Sequence, residues 1–262
     1  TLIKLGQTDN ARQLLEQGRK SDLSIEEIEQ LEAKVGSKYS CISAVQANKL
    51  RQLYYEGKVL EALSFSRRLA LQFPNDQNVL NSLGVINSSS KQYCEAIKFY
   101  TRAIKLNPTF AKAYYNLGNI FVELSKHCDA IANYKKTVIS EPELGECYFN
   151  LANSLSTTER YDQAISNYQK TIYLQPDYAE VHNNLGHSLN CLGNSDGAIN
   201  AYTEAVKIKP DYAEAYTNLG IILSEGGNYQ NASFLCRKAS VLDPQSAEAY
   251  ASLGIVLNAG GN

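Results

Sequence analysis

Methionine and tryptophan are absent from the 262 residues, and proline occurs only six times. Long apolar runs are also missing: the longest are a few residues, far short of the roughly 20 that a membrane-spanning helix needs. No charge of one sign is in excess, since 25 basic side chains stand against 27 acidic ones for a net charge of −2, and no basic run occurs. Nucleic acid and anionic lipid are held by concentrated Lys and Arg, so neither nucleic acid nor a membrane is expected as partner. Cysteine pairs of the C-x-x-C type are absent as well, because Cys41, Cys94, Cys128, Cys147, Cys191 and Cys236 never come closer in sequence than the step from Cys128 to Cys147. That spacing lacks the ligand pattern of zinc sites and redox dithiols and suits small buried or half-buried thiols in a reducing compartment, so a cytoplasmic location is expected. His127, His182 and His187 fit no H-E-x-x-H spacing, and no metal or cofactor is expected. With Thr1 first and no Met anywhere, the sequence is expected to be part of a longer chain.

The six prolines are Pro74, Pro108, Pro142, Pro176, Pro210 and Pro244, and every successive difference is 34. A fixed period of this size marks a stacked array whose repeats bury their apolar faces against their neighbours. Taking proline as position 32 gives repeats at 43–76, 77–110, 111–144, 145–178, 179–212 and 213–246, with a partial seventh at 247–262. Position 20 is then Ala62, Ala96, Ala130, Ala164, Ala198 and Ala232. From the second repeat onward, position 7 is always Leu and position 8 is Gly84, Gly118, Ala152, Gly186, Gly220 or Gly254. Tyr recurs at position 24 (Tyr100, Tyr134, Tyr168, Tyr202) and at position 4 (Tyr114, Tyr148, Tyr216, Tyr250). Positions 4, 7, 8 and 11 follow the i, i+3, i+4, i+7 rule and predict an amphipathic helix A over positions 2–14; a second series at 17, 20, 21, 24 and 28 predicts helix B. Gly57, Gly193 and Gly227 at position 15 supply a helix end with positive φ, and proline stops helix B.

Each repeat is therefore a helical hairpin, and the Leu-Gly, Tyr, Ala, aromatic, Pro pattern resembles the tetratricopeptide repeat. The resemblance covers residues 43–262 and implies an all-α fold, a right-handed superhelical solenoid of antiparallel hairpins. The family's Trp at position 4 is replaced by Tyr, Leu80, His182 or Gln46. Residues 1–20 read as the remnant of an earlier helical repeat, with Gly6 and Ala11 spaced like positions 15 and 20. Residues 21–42 read as a helical connector opened by a capping box of Ser24 and Glu27, or else as a degenerate repeat.

The resemblance places helix A on the concave side of the superhelix. At about 100° per residue, positions 2, 6, 9 and 13 lie opposite the apolar stripe and are expected to line a groove. Position 6 reads Asn48, Ser82, Asn116, Asn150, Asn184, Asn218 and Ser252, and position 9 adds Arg51, Asn119, Asn153 and His187. An amide carries donor and acceptor together, so a row of Asn at repeat spacing can bond the backbone of an extended peptide whatever its sequence. Similar ladders line the repeat region of O-linked N-acetylglucosamine transferases, while Asn at these positions is also common among repeats of every function. Tyr115 and Phe149 at position 5 form an anchor pocket or else pack against the next repeat.

Charge along the stripe sets Lys112 against Glu123, Glu146, Glu180, Glu214 and Glu225, a balance of −4 over four repeats. Three of the carboxylates sit in the first turn of helix A, where they favour the helix dipole, and the field opposes an acidic ligand. The basic clamp of chaperone-binding family members is missing: two repeats after Asn119 and Asn153 stand Glu180 with Asn184 and Glu214 with Asn218. The expected partner is a neutral or basic protein or peptide.

Catalytic constellations are missing too. There is no G-x-S-x-G, G-x-x-x-x-G-K or G-x-G-x-x-G, and Cys191 four residues after His187 lacks a third orienting group. The sequence reads as a non-catalytic, protein-binding scaffold, or as the recognition arm of a larger transferase. The arm reading rests on a resemblance to bacterial proteins that join such arrays to glycosyltransferase or sulfotransferase domains. An apolar face left bare after the last helix A would allow end-to-end self-association, and the native chain is expected to continue past 262.

Overall fold

The computed structural model describes residues 42–261. The repeat remnant expected at 1–20, and the connector expected at 21–42 up to its last residue, lie outside them. Every regular element among the described residues is an α-helix: α1 (Ala44–Tyr55), α2 (Val59–Gln72), α3 (Gln77–Ser89), α4 (Tyr93–Leu106), α5 (Ala111–Glu123), α6 (His127–Ser140), α7 (Gly145–Thr157), α8 (Tyr161–Leu174), α9 (Ala179–Cys191), α10 (Ser195–Ile208), α11 (Ala213–Glu225), α12 (Tyr229–Leu242) and α13 (Ala247–Ala259). Odd-numbered helices are of type A and even-numbered ones of type B.

These residues divide after Leu124 into two compact blocks. In the first, α1 with α2 and α3 with α4 form hairpins, and α5 packs on both α4 and α3. In the second, α6 packs on α7, three hairpins follow (α7 with α8, α9 with α10, α11 with α12), and α13 packs on α12 and α11. Successive A helices touch: α3 meets α5, α7 meets α9, and α11 meets α13.

Turn chemistry explains the hairpins. Position 16 donates its N–H to the carbonyl at position 11, as in Lys58 to Leu53 (3.0 Å), Arg160 to Leu155 (2.9 Å) and Asn228 to Leu223 (2.9 Å). Position 15 donates to position 12, as in Gly193 to Asn190 at 2.8 Å. Together these bonds close the helix with a left-handed residue at position 15. Glycine takes that conformation in Gly57, Gly193 and Gly227, but Lys91 (φ 57°), Ser125 (φ 56°) and Glu159 (φ 59°) adopt it as well, so the turn is imposed by the hairpin even where no glycine supplies it.

Small residues set the distance between helices. All six alanines at position 20 are fully buried. A Cβ added to Gly186 would lie 2.7 Å from Cε1 of Tyr202, and Gly84 faces the Tyr100 ring in the same way. The rings of Tyr100, Tyr134, Tyr168 and Tyr202 are buried, each contributing a large apolar area.

The buried stripe of helix A is rotated from the expected one. From the second repeat onward position 3 (Val79, Ala113, Cys147, Val181, Ala215, Ala249) is wholly buried, and so is position 10, where Ser154 and Ser188 stand among Ile86, Ile120, Ile222 and Val256, whereas Val45 in the first repeat is 77 % exposed. Position 4 is buried only as Leu80 and Tyr216, and Tyr250 is 52 % exposed. Apolar periodicity overlooks serine and alanine and counts tyrosine as core, so it centred the stripe too near position 4. One consequence is that position 6 falls at the edge of the buried stripe rather than opposite it.

Candidate functional site

That rotation decides what the asparagines do. In the first block, Asn116 on α5 is half-buried and donates its Nδ2–H to Oδ1 of Asn81 on α3 at 3.0 Å. In the second, Asn218 on α11 donates to Oδ1 of Asn183 on α9 at 3.0 Å, and Asn184 on α9 donates to Oδ1 of Asn153 on α7 at 3.0 Å. In these three repeats the position-6 amide therefore clasps its A helix to the preceding one. Asn153 Oδ1 also accepts from the hydroxyl of Tyr168 at 2.7 Å, which ties the A row to helix B beneath it. Asn183, only 1 % exposed, passes an N–H on to Glu214 Oε1 at 2.9 Å. Asn119 and Asn150 are half-buried. Asn48 stands apart: it is exposed and accepts a hydrogen bond from the Arg51 guanidinium.

The aromatics at position 5 are half-buried. The Phe149 ring has its centroid 4.9 Å from that of Tyr178 and 6.3 Å from that of Tyr168, so it packs towards the turn that opens the next A helix. Tyr115 is half-buried on α5.

Solvent reaches the A helices mainly at positions 2, 9 and 13, and two cavities open there. One, of about 300 Å³, is lined by Asn153, Ser156, Thr157, Tyr168, Asn184 and His187. Here the structure brings together three residues expected in the groove, Asn153, Asn184 and His187. The other, of about 530 Å³, lies in the first block between α1, α3 and the start of α5, with Arg51, Tyr54, Asn78, Asn81, Val85 and Lys112 on its surface. Asn78 and Asn81 had not been singled out; their occurrence at positions 2 and 5 of the second repeat was the available signal.

Electrostatics in the second block are less acidic than the carboxylate count suggests. Lys209 Nζ, from the turn after α10, lies 3.1 Å from Glu180 Oε1. Burial pushes the Glu180 carboxyl up, but hydrogen bonds from its own backbone N–H and from Lys209 outweigh this and hold it below its ordinary value. Lys209 was missed because position 31 belongs to neither helix. Near the smaller cavity, His187 Nε2 is 3.6 Å from Cys191 Sγ, and its ring meets Tyr161 edge-on at 6.5 Å. A hydrogen bond with Cys191 raises the Tyr161 phenol above its usual value, with some help from burial. Among the described residues no group of three or more His, Cys, Asp or Glu could hold a metal ion, and none of these helices is long and apolar enough to cross a membrane.

Paired helices with small residues at their crossings, and polar side chains along one face of successive A helices, define a helical-repeat scaffold of the protein-interaction class. The family model described as TPR repeat matches residues 88–125, 158–193 and 189–227, and a second, described as tetratricopeptide repeat, matches 213–246. The chain is a tetratricopeptide-repeat protein. Its backbone is similar to that of the MamA protein (25% identity, TM-score 0.62, covering 66% of this chain and 94% of that one). It is also similar to YrrB, a TPR protein with an unusual peptide-binding site (22%, 0.65, 71% and 96%), and to PilF of Pseudomonas aeruginosa (15%, 0.70, 80% and 96%). No curated protein matches the chain.

Proposed function

We propose that the exposed face of the A helices binds an extended segment of a partner protein, without catalysis, in the cytoplasm. The observation that carries this reading is the convergence of polar side chains from successive A helices on one cavity: Asn153 and Thr157 from α7 with Asn184 and His187 from α9. Such a notch suits a peptide, whose backbone offers donors and acceptors at regular intervals. YrrB, similar in fold, is a TPR protein with a peptide-binding site of its own, which supports the same use of the face here. In the second block the carboxylates Glu146, Glu214 and Glu225 are exposed or nearly so and favour a neutral or basic segment. A reducing compartment suits the exposed thiols Cys94, Cys128 and Cys191.

The test is an array of extended neutral and basic peptides probed with the wild type and with His187→Ala/Thr157→Ala. Both side chains are exposed, so their loss leaves the helix clasps intact. Peptides held by the wild type and lost by the variant, with an unchanged melting curve, support the groove; equal binding by both, or none by either, overturns it.

A further inference from the structure

Cys191 and His187, four residues apart on α9, have a third group beside them in the folded chain. His187 Nε2 lies 3.6 Å from Cys191 Sγ. Tyr161, the first residue of α8, hydrogen-bonds to the same thiol and meets the imidazole edge-on. The thiol is exposed, so a reagent reaches it from solvent. His187 also lines the cavity of about 300 Å³ together with Asn153, Ser156, Thr157 and Asn184. Sulfur, base and polar notch therefore stand side by side within the second block.

Packing does not call for a thiol here. Cys191 is at position 13, where the repeats on either side carry Thr157 and Glu225. In the first block the same junction joins Tyr93, the counterpart of Tyr161, to Glu123 at 3.4 Å. Cys191 is also the last residue of its helix, and the dipole disfavours a thiolate at a C-terminus. The sulfur therefore needs a proton acceptor at the moment it reacts. The His187 tautomer protonated at Nδ1 offers one in Nε2.

We propose that Cys191 is a modification site that forms a mixed disulfide with a small peptide thiol, and that the adduct fills the His187 notch and excludes the partner segment. The exclusion rests on the peptide-groove reading; the sulfur chemistry does not. Cys191 Sγ attacks one sulfur of a low-molecular-weight disulfide while His187 Nε2 takes its proton. The new S–S bond forms as the old one breaks, and the departing thiolate recovers the proton from the imidazolium. The Cys191 sulfur is oxidised and the co-reactant disulfide is reduced to one free thiol, so no further oxidant is required. The notch offers amides and hydroxyls and is lined by no Asp, Glu, Lys or Arg, which suits the amides of a peptide adduct.

The experiment treats the wild type, His187→Ala and Cys191→Ser with oxidised glutathione at neutral pH and follows each cysteine by peptide mapping and mass spectrometry. Both substituted side chains are exposed. The wild type should gain a glutathionyl group at Cys191, and His187→Ala should slow that reaction about tenfold or more while leaving the rates at Cys94 and Cys128 unchanged. Modified wild type should lose the peptides held at the notch and regain them after dithiothreitol. Cys191→Ser should hold them before and after treatment. Absence of the adduct at Cys191, or a rate there that is indifferent to His187, overturns the proposal. An adduct that leaves peptide binding intact also overturns it, and the groove reading then stands. If no peptide binds the unmodified protein, the groove reading fails and the exclusion fails with it, while the mapped rates still decide the modification site.

Discussion

The side chains of Asn184 and Asn153 join two successive A helices, Nδ2 to Oδ1 at 3.0 Å, and the hydroxyl of Tyr168 reaches the same Oδ1 from helix B at 2.7 Å. One amide oxygen thus links three helices, α7, α8 and α9. Asn184→Ala removes this bond together with a longer one, 3.4 Å, that its Oδ1 accepts from Asn183, and a hydrogen bond of the shorter kind contributes about 1 kcal/mol. Asn153→Ala costs more, because the hydroxyl of Tyr168, a side chain only 1 % exposed, loses its acceptor. Thermal melts of the two variants and of the double variant should give a coupling of roughly 0.5–1 kcal/mol. Additive losses would mean that the pair is a surface contact and not a clasp.

The sequence made the hairpins legible because their determinants are local and repeat: proline at 32, alanine at 20, glycine or alanine at 8. The site was less legible. Asn116, Asn184 and Asn218 read as standing opposite the buried stripe because position 4 was taken as its centre, whereas Ser154, Ser188 and the small residues at position 3 shift that centre. Partners such as Asn81 and Lys209 lie 35 and 29 residues from the groups they bond, and only the stacking of repeats brings them together.

The turn at position 15 offers a direct gain in stability. Lys91 and Glu159 hold positive φ, which costs an ordinary residue about 1–2 kcal/mol, while glycine pays only its own entropy of roughly 0.5–1 kcal/mol. Lys91→Gly and Glu159→Gly should therefore raise stability in urea by about 0.5–1 kcal/mol. Gly193→Ala, with φ 76° and open space where its Cβ would go, should lower it through backbone strain alone. A fall in stability on Glu159→Gly would show that its side chain matters more than its backbone.

The Glu180–Lys209 pair predicts a pH dependence. Since the folded carboxyl sits below its ordinary value of 4.5, its contribution is present above that value and is lost as pH falls through the lower, folded value. The side chains are 39 % and 44 % exposed, so the effect is small and screened by salt. At neutral pH the wild type should melt slightly above Glu180→Gln, and the two curves should converge on acidification. A difference that grows towards low pH would reverse the assignment.

Thiol reactivity separates the cysteines by burial. The thiolate is the reacting species, and burial pushes the Cys147 thiol up to about 12 and raises that of Cys236. Both side chains are fully buried, whereas Cys94, Cys128 and Cys191 are exposed. With an aromatic disulfide reagent at mildly alkaline pH, peptide mapping should find Cys94, Cys128 and Cys191 labelled rapidly. Cys147 and Cys236 should be labelled only at the rate at which the helices open, and all five together in denaturant. Cys236 takes the place that Tyr occupies in the four preceding repeats, and a Cβ on Gly220 would lie 2.5 Å from its Sγ. Labelling there needs α11 and α12 to part. Rapid labelling of Cys236 in the native protein, with Cys147 still protected, would mean that this hairpin opens independently of the repeats before it.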